Sequence, residues 1–269
     1  MSLLKLRNRL RTVKELNSIF SALQVVTVVR TQKTRQVHSA MVRYLTAIEE
    51  VIAGQIKVEP MEKKSLVVIS SNRGLCGAFN QMVLAKAEEF LRAHPDAQLV
   101  VVGKNGYNLF RQKGIKVLFY DTEVVEKISF KSAADLFKRI YALKSEIYVV
   151  YNAFKSTLVQ IPTVTELFPV PKELRDRGPK KEYILEPARG VLLEKLFYHY
   201  LEASFFRMLL GSYMGELSLR FMVLKGAVDN SCEIIDDLAI GINKTRQANI
   251  TWDLLEIVTA AEALRSDYE

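Results

Sequence analysis

The strongest constraint on the fold is an apolar repeat in the C-terminal part of the chain, between residues 216 and 264. Its members are separated alternately by four and three positions, which places one seam along a helix and favours supercoiling against a second helix. The repeat consists of Leu217, Phe221, Leu224, Val228, Ser231, Ile235, Leu238 and Ile242. It predicts one strand of a coiled coil.

The helix that carries this repeat is expected to be long. No proline follows Pro187, and the apolar pattern continues upstream to Leu196. A single helix of roughly 70 residues would extend about 100 Å, whereas a compact chain of this length has a radius of gyration of only about 18 Å. We therefore expect the helix to project from the globular part. The glycines at positions 211, 215, 226 and 241 are where it could break, since each costs up to about 1 kcal/mol relative to alanine.

A second long helix is predicted at the N-terminus, from Leu3 to Val51. The sequence has no proline before Pro60 and no glycine before Gly54, and roughly 50 residues of helix would extend about 75 Å. Because this helix leads into the middle of the chain and the C-terminal helix leads out of it, we expect them to pack side by side and antiparallel. The residues expected on or near its apolar stripe are Leu3, Leu6, Leu10, Val13, Leu16, Phe20 and Leu23.

The middle of the chain, residues 59–188, has the alternating pattern of an α/β domain between an N-terminal helix at 1–58 and a C-terminal helix at 189–269. Alternation of strands and helices predicts a Rossmann-like domain with a mostly parallel sheet. Strands are predicted at residues 65–70, 99–102, 115–119, 147–151 and 157–165, an edge strand at 183–185, helices at 79–92, 107–112 and 132–143, and a polar loop at 169–181.

The formal net charge of +8 is concentrated in the N-terminal helix, where residues 1–37 contain eight basic residues and only one acidic residue, Glu15. The first interpretation is a solvated helix face. The second is a coiled-coil nucleic-acid-binding protein, which is disfavoured because no aromatic residues are interleaved with the basic ones. The third is a basic shaft inside an acidic protein sleeve.

Composition argues against a membrane span, a disulfide framework and a metal site. No apolar run reaches the roughly 18 residues of a membrane span, and the N-terminus lacks the continuous apolar region of a signal peptide. Cys76 and Cys232 are the only cysteines, and His38, His94 and His199 are scattered. We therefore expect a soluble cytoplasmic protein with two unpaired thiols and without zinc or another cofactor.

A glycine-containing turn, Gly74-Leu75-Cys76-Gly77, lies between a predicted buried strand and a predicted helix. Such turns can aim backbone N–H groups at a phosphate, which would suit a small-molecule-binding α/β enzyme. The turn lacks the Lys-Ser/Thr that follows a phosphate loop, and no base lies near Cys76 in the sequence. The pattern favours a tight structural turn with a small buried thiol.

The end of the C-terminal helix, residues 250–264, is apolar on more than one face, which is typical of a helix buried in something else. Since no chain remains to cover it, we expect the cover to be another protein. The apolar residues include Ile250, Leu254, Ile257, Val258, Ala261 and Leu264. Just before them, Arg246 and Gln247 could clamp a carboxylate, but their chemistry alone favours a solvated turn of helix.

Four segments carry recognisable motifs in order along the chain. Residues 7–26 read RNRLRTVKELNSIFSALQVV, residues 70–80 read SSNRGLCGAFN, the third spans 216–230, and residues 245–251 read TRQANIT, followed by Asp253, Glu256, Ala261 and Glu262. The second and fourth look like the D-R-G-L-C-G-x-x-N and R-Q-A-x-I-T-x-E-x-x-E-x-x-x-G-A motifs of the gamma subunit of the F-type ATP synthase. The first and third resemble its N-terminal helix and its S-E-x-x-x-R-M stretch. Asn72, Asp253 and Ala260 replace the family's usual aspartate, glutamate and glycine.

This resemblance implies a non-catalytic rotor shaft at the cytoplasmic face of the cell membrane. Its partners would be three alpha and three beta subunits, the epsilon subunit and the membrane c-ring, with neither nucleic acid nor a directly bound nucleotide. By position, Arg246 and Gln247 would form a catch on a catalytic-subunit loop, and residues 250–264 would turn in an apolar bearing. The residues expected to form a basic face that follows acidic loops are Arg7, Arg9, Arg11, Arg30 and Lys33.

Overall fold

The computed structural model describes residues 2–55, 61–156, 159–176 and 189–266. Two long helices, α1 (Leu3–Ile52) and α7 (Arg189–Ser266), flank a central α/β region, as predicted. The elements between them are β1 (Lys64–Ile69), α2 (Phe79–Ala93), β2 (Gln98–Val102), α3 (Lys104–Gln112), β3 (Phe119–Asp121), α4 (Glu123–Glu126), α5 (Phe130–Tyr141), β4 (Glu146–Phe154), β5 (Gln160–Phe168) and α6 (Lys172–Arg175). The chain divides into a helical unit, Met1–Val26 with Met222–Glu269, and a central unit, Thr27–Phe221.

The sheet of the central unit is mostly parallel, as the alternating pattern predicted. Its five strands lie in the order β3-β2-β1-β4-β5, and only the β4–β5 pair is antiparallel. On β1, Leu66 and Val68 pack with α2 and α3, whereas Val67 and Ile69 pack with α5, α1 and α7. Alternate residues of one strand therefore face opposite helical layers, and burial of each such side chain contributes about 1.5–3 kcal/mol.

Some predicted boundaries in the α/β region were wrong. The strand expected at 115–119 is found at Phe119–Asp121, because Ile115 and Val117 pack against the α2–α3 layer before the ladder with β2 begins. The strand expected at 157–165 begins at Gln160, and the loop expected at 169–181 contains α6. The edge strand expected at 183–185 lies outside the described residues.

In the helical unit, the seam of α7 is the predicted one. Leu224, Ser231 and Leu238 are buried, and Val228, Ile235 and Ile242 are half-buried. The stripe predicted on α1 was wrong at two places, since Leu16 and Leu23 are 43 % and 41 % exposed. The half-buried positions of α1 are Leu3, Leu6, Leu10, Val13, Asn17, Phe20 and Gln24, with Ser21 beside them.

The correction on α1 has a simple geometric cause. A regular alternation of three and four positions passes through Asn17 and Gln24, whereas choosing residues by apolar character selects Leu16 and Leu23. Asn17 donates from Nδ2 to Cys232 Sγ at 3.3 Å. A polar residue in an apolar seam fixes the register of the two helices, because its partner is at one place only.

Within the central unit, α1 and α7 run antiparallel. Tyr200 donates from its hydroxyl to Glu49 at 3.2 Å, and the Tyr44 hydroxyl lies 2.7 Å from His199 Nε2. Farther along, a Cβ placed on Gly211 would lie 3.8 Å from His38 Nε2. Residue numbers on α1 thus fall as those on α7 rise. Among the described residues, no helix is both long enough and apolar enough to cross a membrane.

Candidate partner-binding surfaces

The end of α7 carries a large exposed apolar surface, which we call the apolar tip. Its residues are Ile250, Trp252, Leu254, Leu255, Ile257 and Val258, whose exposed fractions lie between 51 % and 68 %. Ala261 is also exposed, and the side chain of Leu264 lies outside the described residues. Monomeric proteins rarely expose contiguous apolar patches of more than a few hundred Å². The apolar tip therefore has the character of a surface that a partner protein covers.

Arg246 and Gln247 lie one helical turn before the apolar tip, and both are exposed. The Gln247 carbonyl accepts a hydrogen bond from Thr251 Oγ1 at 2.9 Å, which belongs to the helix itself. In the part of the chain that the structure describes, neither the guanidinium nor the carboxamide has an intramolecular partner. Both groups are therefore available for a directional contact with a carboxylate of another protein.

The basic residues of α1 that were expected to form one face fall into the two units. In the helical unit, Arg7 and Arg11 lie one turn apart and line, with Lys14, a groove of about 410 Å³. Arg11 Nε lies 3.0 Å from Glu15 Oε1 in an exposed ion pair. Arg9 is also exposed, but it is two positions from both Arg7 and Arg11 and therefore lies on a different side of the helix.

Arg30 and Lys33 lie in the central unit, where they stand at the rim of a cleft of about 300 Å³. Its apolar wall includes Phe206 and Leu210 of α7, and Glu126 of α4 contributes a carboxylate. Both cations are exposed. Their place beside an apolar wall suits a partner segment that carries acidic and apolar side chains together.

The turn that follows β1, residues 71–80, is held by side-chain amides. Asn80 accepts from Ser71 N at 3.0 Å and donates to Ser71 Oγ at 2.9 Å, and Asn105 donates to the Arg73 carbonyl at 3.1 Å. The backbone is left-handed at Leu75, with φ of 59°, and at Gly77, with φ of 56°. These bonds give the loop one conformation and fix where its carbonyls point.

Cys76 lies inside this turn and is 3 % exposed. Its sulfur is 3.7 Å from Ser71 Oγ and from the Arg73 carbonyl. Burial raises the pKa of the Cys76 thiol, with a smaller opposing effect from the Ser71 hydrogen bond. The thiol therefore stays protonated near neutral pH, which does not suit a nucleophile.

A charged pair on α7, Glu216 and Arg220, is hydrogen-bonded to the turn after β1 through the carbonyls of Arg73 and Gly74. We call this arrangement the Arg220 clasp. Arg220 donates to the Gly74 carbonyl from Nε at 3.2 Å and from Nη2 at 3.1 Å, and to the Arg73 carbonyl at 3.3 Å. Its Nη2 also lies 2.6 Å from Glu216 Oε1. Burial raises the pKa of Glu216, while Arg220 and then Arg73 act to lower it. The turn thus presents carbonyls to a cation, the opposite polarity to a phosphate loop.

The α7 helix also occupies the crevice where open α/β sheets bind ligands. That crevice lies at the carboxyl ends of the strands, where the strand order reverses, here between β1 and β4. Gln160, at the start of β5, donates to the Gly215 carbonyl at 2.8 Å. A Cβ on Gly215 would lie only 2.9 Å from Gln160 Oε1. This close approach argues against the hypothesis of a small-molecule-binding α/β enzyme.

Sequence reasoning gave no role to Glu216 or Arg220, although the segment that resembles S-E-x-x-x-R-M includes both. A further signal was available, because the two residues are four positions apart, have opposite charges and lie beside apolar seam residues. Burial of charge is costly unless the group is paired and hydrogen-bonded, so the remaining N–H donors of Arg220 need acceptors within the protein. That these acceptors belong to the backbone of residues 73 and 74 could be known only from the fold.

Comparisons with known proteins agree with the motif resemblance. The family model described as ATP synthase matches residues 2–264. The chain is 31 % identical to the ATP synthase gamma chain of Pasteurella multocida (strain Pm70), over 97 % of this chain and 98 % of that protein. It is 30 % identical to the ATP synthase gamma chain of Pelotomaculum thermopropionicum, over 98 % of this chain and 99 % of that protein.

Solved structures share the fold at lower identity. One is a chain of the mitochondrial ATP synthase of Euglena gracilis, in the OSCP/F1/c-ring structure at rotational state 3. Its TM-score is 0.71 at 18 % identity, over 99 % of this chain and 96 % of that chain. Identity this low supports the fold, whereas the family model and the curated relatives define the family. The chain therefore belongs to the ATP synthase gamma chain family.

Proposed function

We propose that this chain is the central rotor shaft of an F-type ATP synthase. It couples ion flow through a membrane ring to the synthesis or hydrolysis of ATP in a catalytic hexamer. Catalysis belongs to other subunits, and the gamma chain is a non-catalytic component of a peripheral, membrane-associated assembly. Its partners are three alpha and three beta subunits, the epsilon subunit and the c-ring, and it works at the cytoplasmic face of the cell membrane.

The observation that carries this proposal is the apolar tip, in a chain that belongs to the gamma chain family over residues 2–264. Trp252 is 68 % exposed and Ile257 is 65 % exposed. Monomeric proteins rarely expose large apolar side chains in such numbers, and a patch of this kind usually marks a surface that another protein covers. A sleeve of apolar residues would cover the tip on all sides while leaving it free to turn.

We assign the surfaces within this function as follows. Arg246 and Gln247 form a polar catch on a loop of a catalytic subunit, where a guanidinium can bind a carboxylate through two hydrogen bonds. The basic residues of α1 follow acidic loops of the same subunits, so that charge complementarity sets the register. Gly74, Cys76 and Gly77 serve as a structural turn. The bearing consists of Ile250, Leu254, Ile257, Val258, Ala261 and Leu264.

The test is reconstitution with the alpha and beta subunits encoded by the same genome. ATP hydrolysis and rotation of single molecules are compared for the full chain, a chain lacking residues 250–269, and the double variant Arg246→Ala with Gln247→Ala. Lys244→Ala is the matched control, because Lys244 is an exposed neighbour on the same helix. We expect the full chain and the control to rotate, the double variant to lose torque, and the truncated chain to lose most coupling.

Failure of the full chain to associate with the hexamer would contradict the proposal. If that failure came with tight, salt-dependent binding to DNA or RNA, the basic residues of α1 would instead serve nucleic acid. Equal torque in all four proteins would leave the shaft in place but would reject the assigned catch and bearing.

A further inference from the structure

A large surface groove of the central unit is lined by none of the residues assigned to a surface above. It has a volume of about 930 Å³ and lies between the C-terminal ends of α2 and α3, beside the segments that lead into β2 and β3. Its floor is apolar and includes Leu91, Ile115 and Leu118. Leu118 is 46 % exposed, although it directly precedes a strand of the sheet. The groove therefore offers apolar contact area that its own chain leaves open.

The rim of the groove is basic and only partly neutralised. Arg92, Lys113 and Lys116 line it together with a single carboxylate, Glu88. Lys113 forms an ion pair with Glu88. Among the described residues, Arg92 and Lys116 form no ion pair. Arg92 Nε donates to the Glu88 carbonyl at 3.4 Å, and its charge contributes, after Lys86, to lowering the pKa of the Glu89 carboxyl. Arg92 and Lys116 are both exposed, so they can pair with an anionic ligand.

We infer that this groove binds an acidic, amphipathic segment of a partner protein. Apolar side chains of the segment fill the floor over Leu91 and Leu118, and its carboxylates pair with Arg92 and Lys116 at the rim. Charge complementarity selects a protein segment that carries acidic residues. The described residues that line the groove include no aromatic side chain on which bases could stack, which disfavours single-stranded nucleic acid. The inference concerns a surface apart from the catch and the bearing, and it does not depend on them.

The experiment uses the full chain and a short fluorescein-labelled peptide of alternating glutamate and leucine, followed by fluorescence anisotropy. Peptides of alternating lysine and leucine, and of glutamate and serine, separate the contributions of charge and apolar contact. The variant pair is Arg92→Glu with Lys116→Glu. Its matched control is Lys131→Glu with Lys138→Glu, which makes the same charge change at exposed positions of α5. Thermal unfolding followed by circular dichroism checks that both double variants are folded.

We expect saturable binding of the glutamate–leucine peptide, at least about tenfold weaker binding by the groove variant, and unchanged binding by the control. Methyl resonances of Ile115 and Leu118 should shift on titration, since both lie on the floor. Equal weakening in both double variants would show a long-range charge effect and would overturn the inference. It would also be overturned if the glutamate–serine peptide bound as tightly as the glutamate–leucine peptide. The same holds if the groove variant kept its affinity for the glutamate–leucine peptide and lost only binding to phosphatidylglycerol vesicles.

Discussion

At the scale of single residues, the Arg220 clasp makes a clear prediction about stability. The side chains of Arg220 and Glu216 are only 12 % and 5 % exposed. Replacing Arg220 by methionine leaves a buried carboxylate without its main cation. We therefore expect the free energy of unfolding, measured in urea at neutral pH, to fall by about 3–5 kcal/mol. Arg11→Met is the control, because it breaks an exposed pair between residues four apart and should cost less than about 1 kcal/mol.

The same clasp predicts a pH dependence with a definite sign. Burial already raises the pKa of Glu216 in the folded protein, and removal of Arg220 takes away a group that lowers it. A carboxyl with a raised pKa in the folded state favours folding when protonated, and this contribution is lost as the pH rises through that value. The deficit of Arg220→Met should therefore be smallest in acid and grow toward neutral pH. A deficit independent of pH, or one unchanged when Glu216→Gln is added, would contradict this account.

Two glycines of α7 form a matched pair for testing close packing. A Cβ on Gly215 would lie 2.9 Å from Gln160 Oε1, whereas a Cβ on Gly226 would meet nothing within 4 Å. We expect Gly226→Ala to stabilise the chain by about 0.5–1 kcal/mol through helix propensity. Gly215→Ala should instead cost about 1 kcal/mol, because Gln160 is held by its hydrogen bond to the Gly215 carbonyl. Equal gains at both positions, measured by denaturant unfolding, would show that the crevice can relax.

Asn72 stands where the resembled motif has aspartate, and the structure gives a reason why asparagine suits this chain. Its Nδ2 donates to the Thr122 carbonyl at 2.7 Å, and its Oδ1 accepts from Lys104 N at 2.8 Å. Asn72→Asp removes the donor and places a carboxylate against a carbonyl, so we expect a loss of about 1–3 kcal/mol in unfolding free energy. Asn108→Asp, at an exposed position of α3, should stay within about 0.5 kcal/mol. A loss no larger than that of this control would remove the bond to Thr122 as an explanation.

At the scale of elements, the register of the helix pair can be tested with two leucines of α1. Leu10 lies in the seam and is half-buried, whereas Leu16 is 43 % exposed. Leu10→Ser should lower the unfolding free energy by about 1 kcal/mol more than Leu16→Ser, since both substitutions change helix propensity equally. The measurement is helix content against urea concentration. If Leu16→Ser is the more destabilising variant, the seam passes through Leu16, as apolar character alone had suggested.

Elements differ in how far sequence could predict them. The seam of α7 was predictable because its residues follow one period from Leu217 to Ile242 and all of them except Ser231 are apolar. On α1 the same period passes through the polar residues Asn17 and Gln24, so the correct register is visible only when the partner helix is present. The third strand was misplaced because Ile115 and Val117 are apolar for packing against helices and not for pairing with β2. Local pattern thus identified the kinds of element better than their limits.

At the scale of the whole molecule, the single tryptophan of the chain reports on assembly. Trp252 is 68 % exposed. We expect its emission to be that of a solvated indole in the free chain and to shift to shorter wavelength when the chain joins a hexamer whose own tryptophans have been replaced. Trp252→Phe provides the blank. An unchanged spectrum in a complex that is shown to have formed would place the tip outside any apolar bearing.

The candidate sites also differ in what sequence could say about them. Arg246 and Gln247 were predicted as binding residues from a motif that is local in the chain, and the structure shows that both are exposed. The contact of Gly215 with Gln160 and that of Arg220 with Gly74 join residues far apart in sequence, and no local pattern encodes them. The groove beside Leu118 was not foreseen for the same reason, since it is formed by the ends of two helices and two strand-leading segments.

The occupied crevice of the sheet has a mechanical consequence. The segment of α7 between Gly215 and Arg220 is bound to β5 on one side and to the turn after β1 on the other. Between these two points lies β4, which pairs with both β1 and β5. A load carried by this segment of α7 therefore reaches the sheet at two points, the edge strand β5 and the turn after the central strand β1. In other open α/β sheets this crevice binds a ligand, whereas here it binds the segment of α7 through which force would be transmitted.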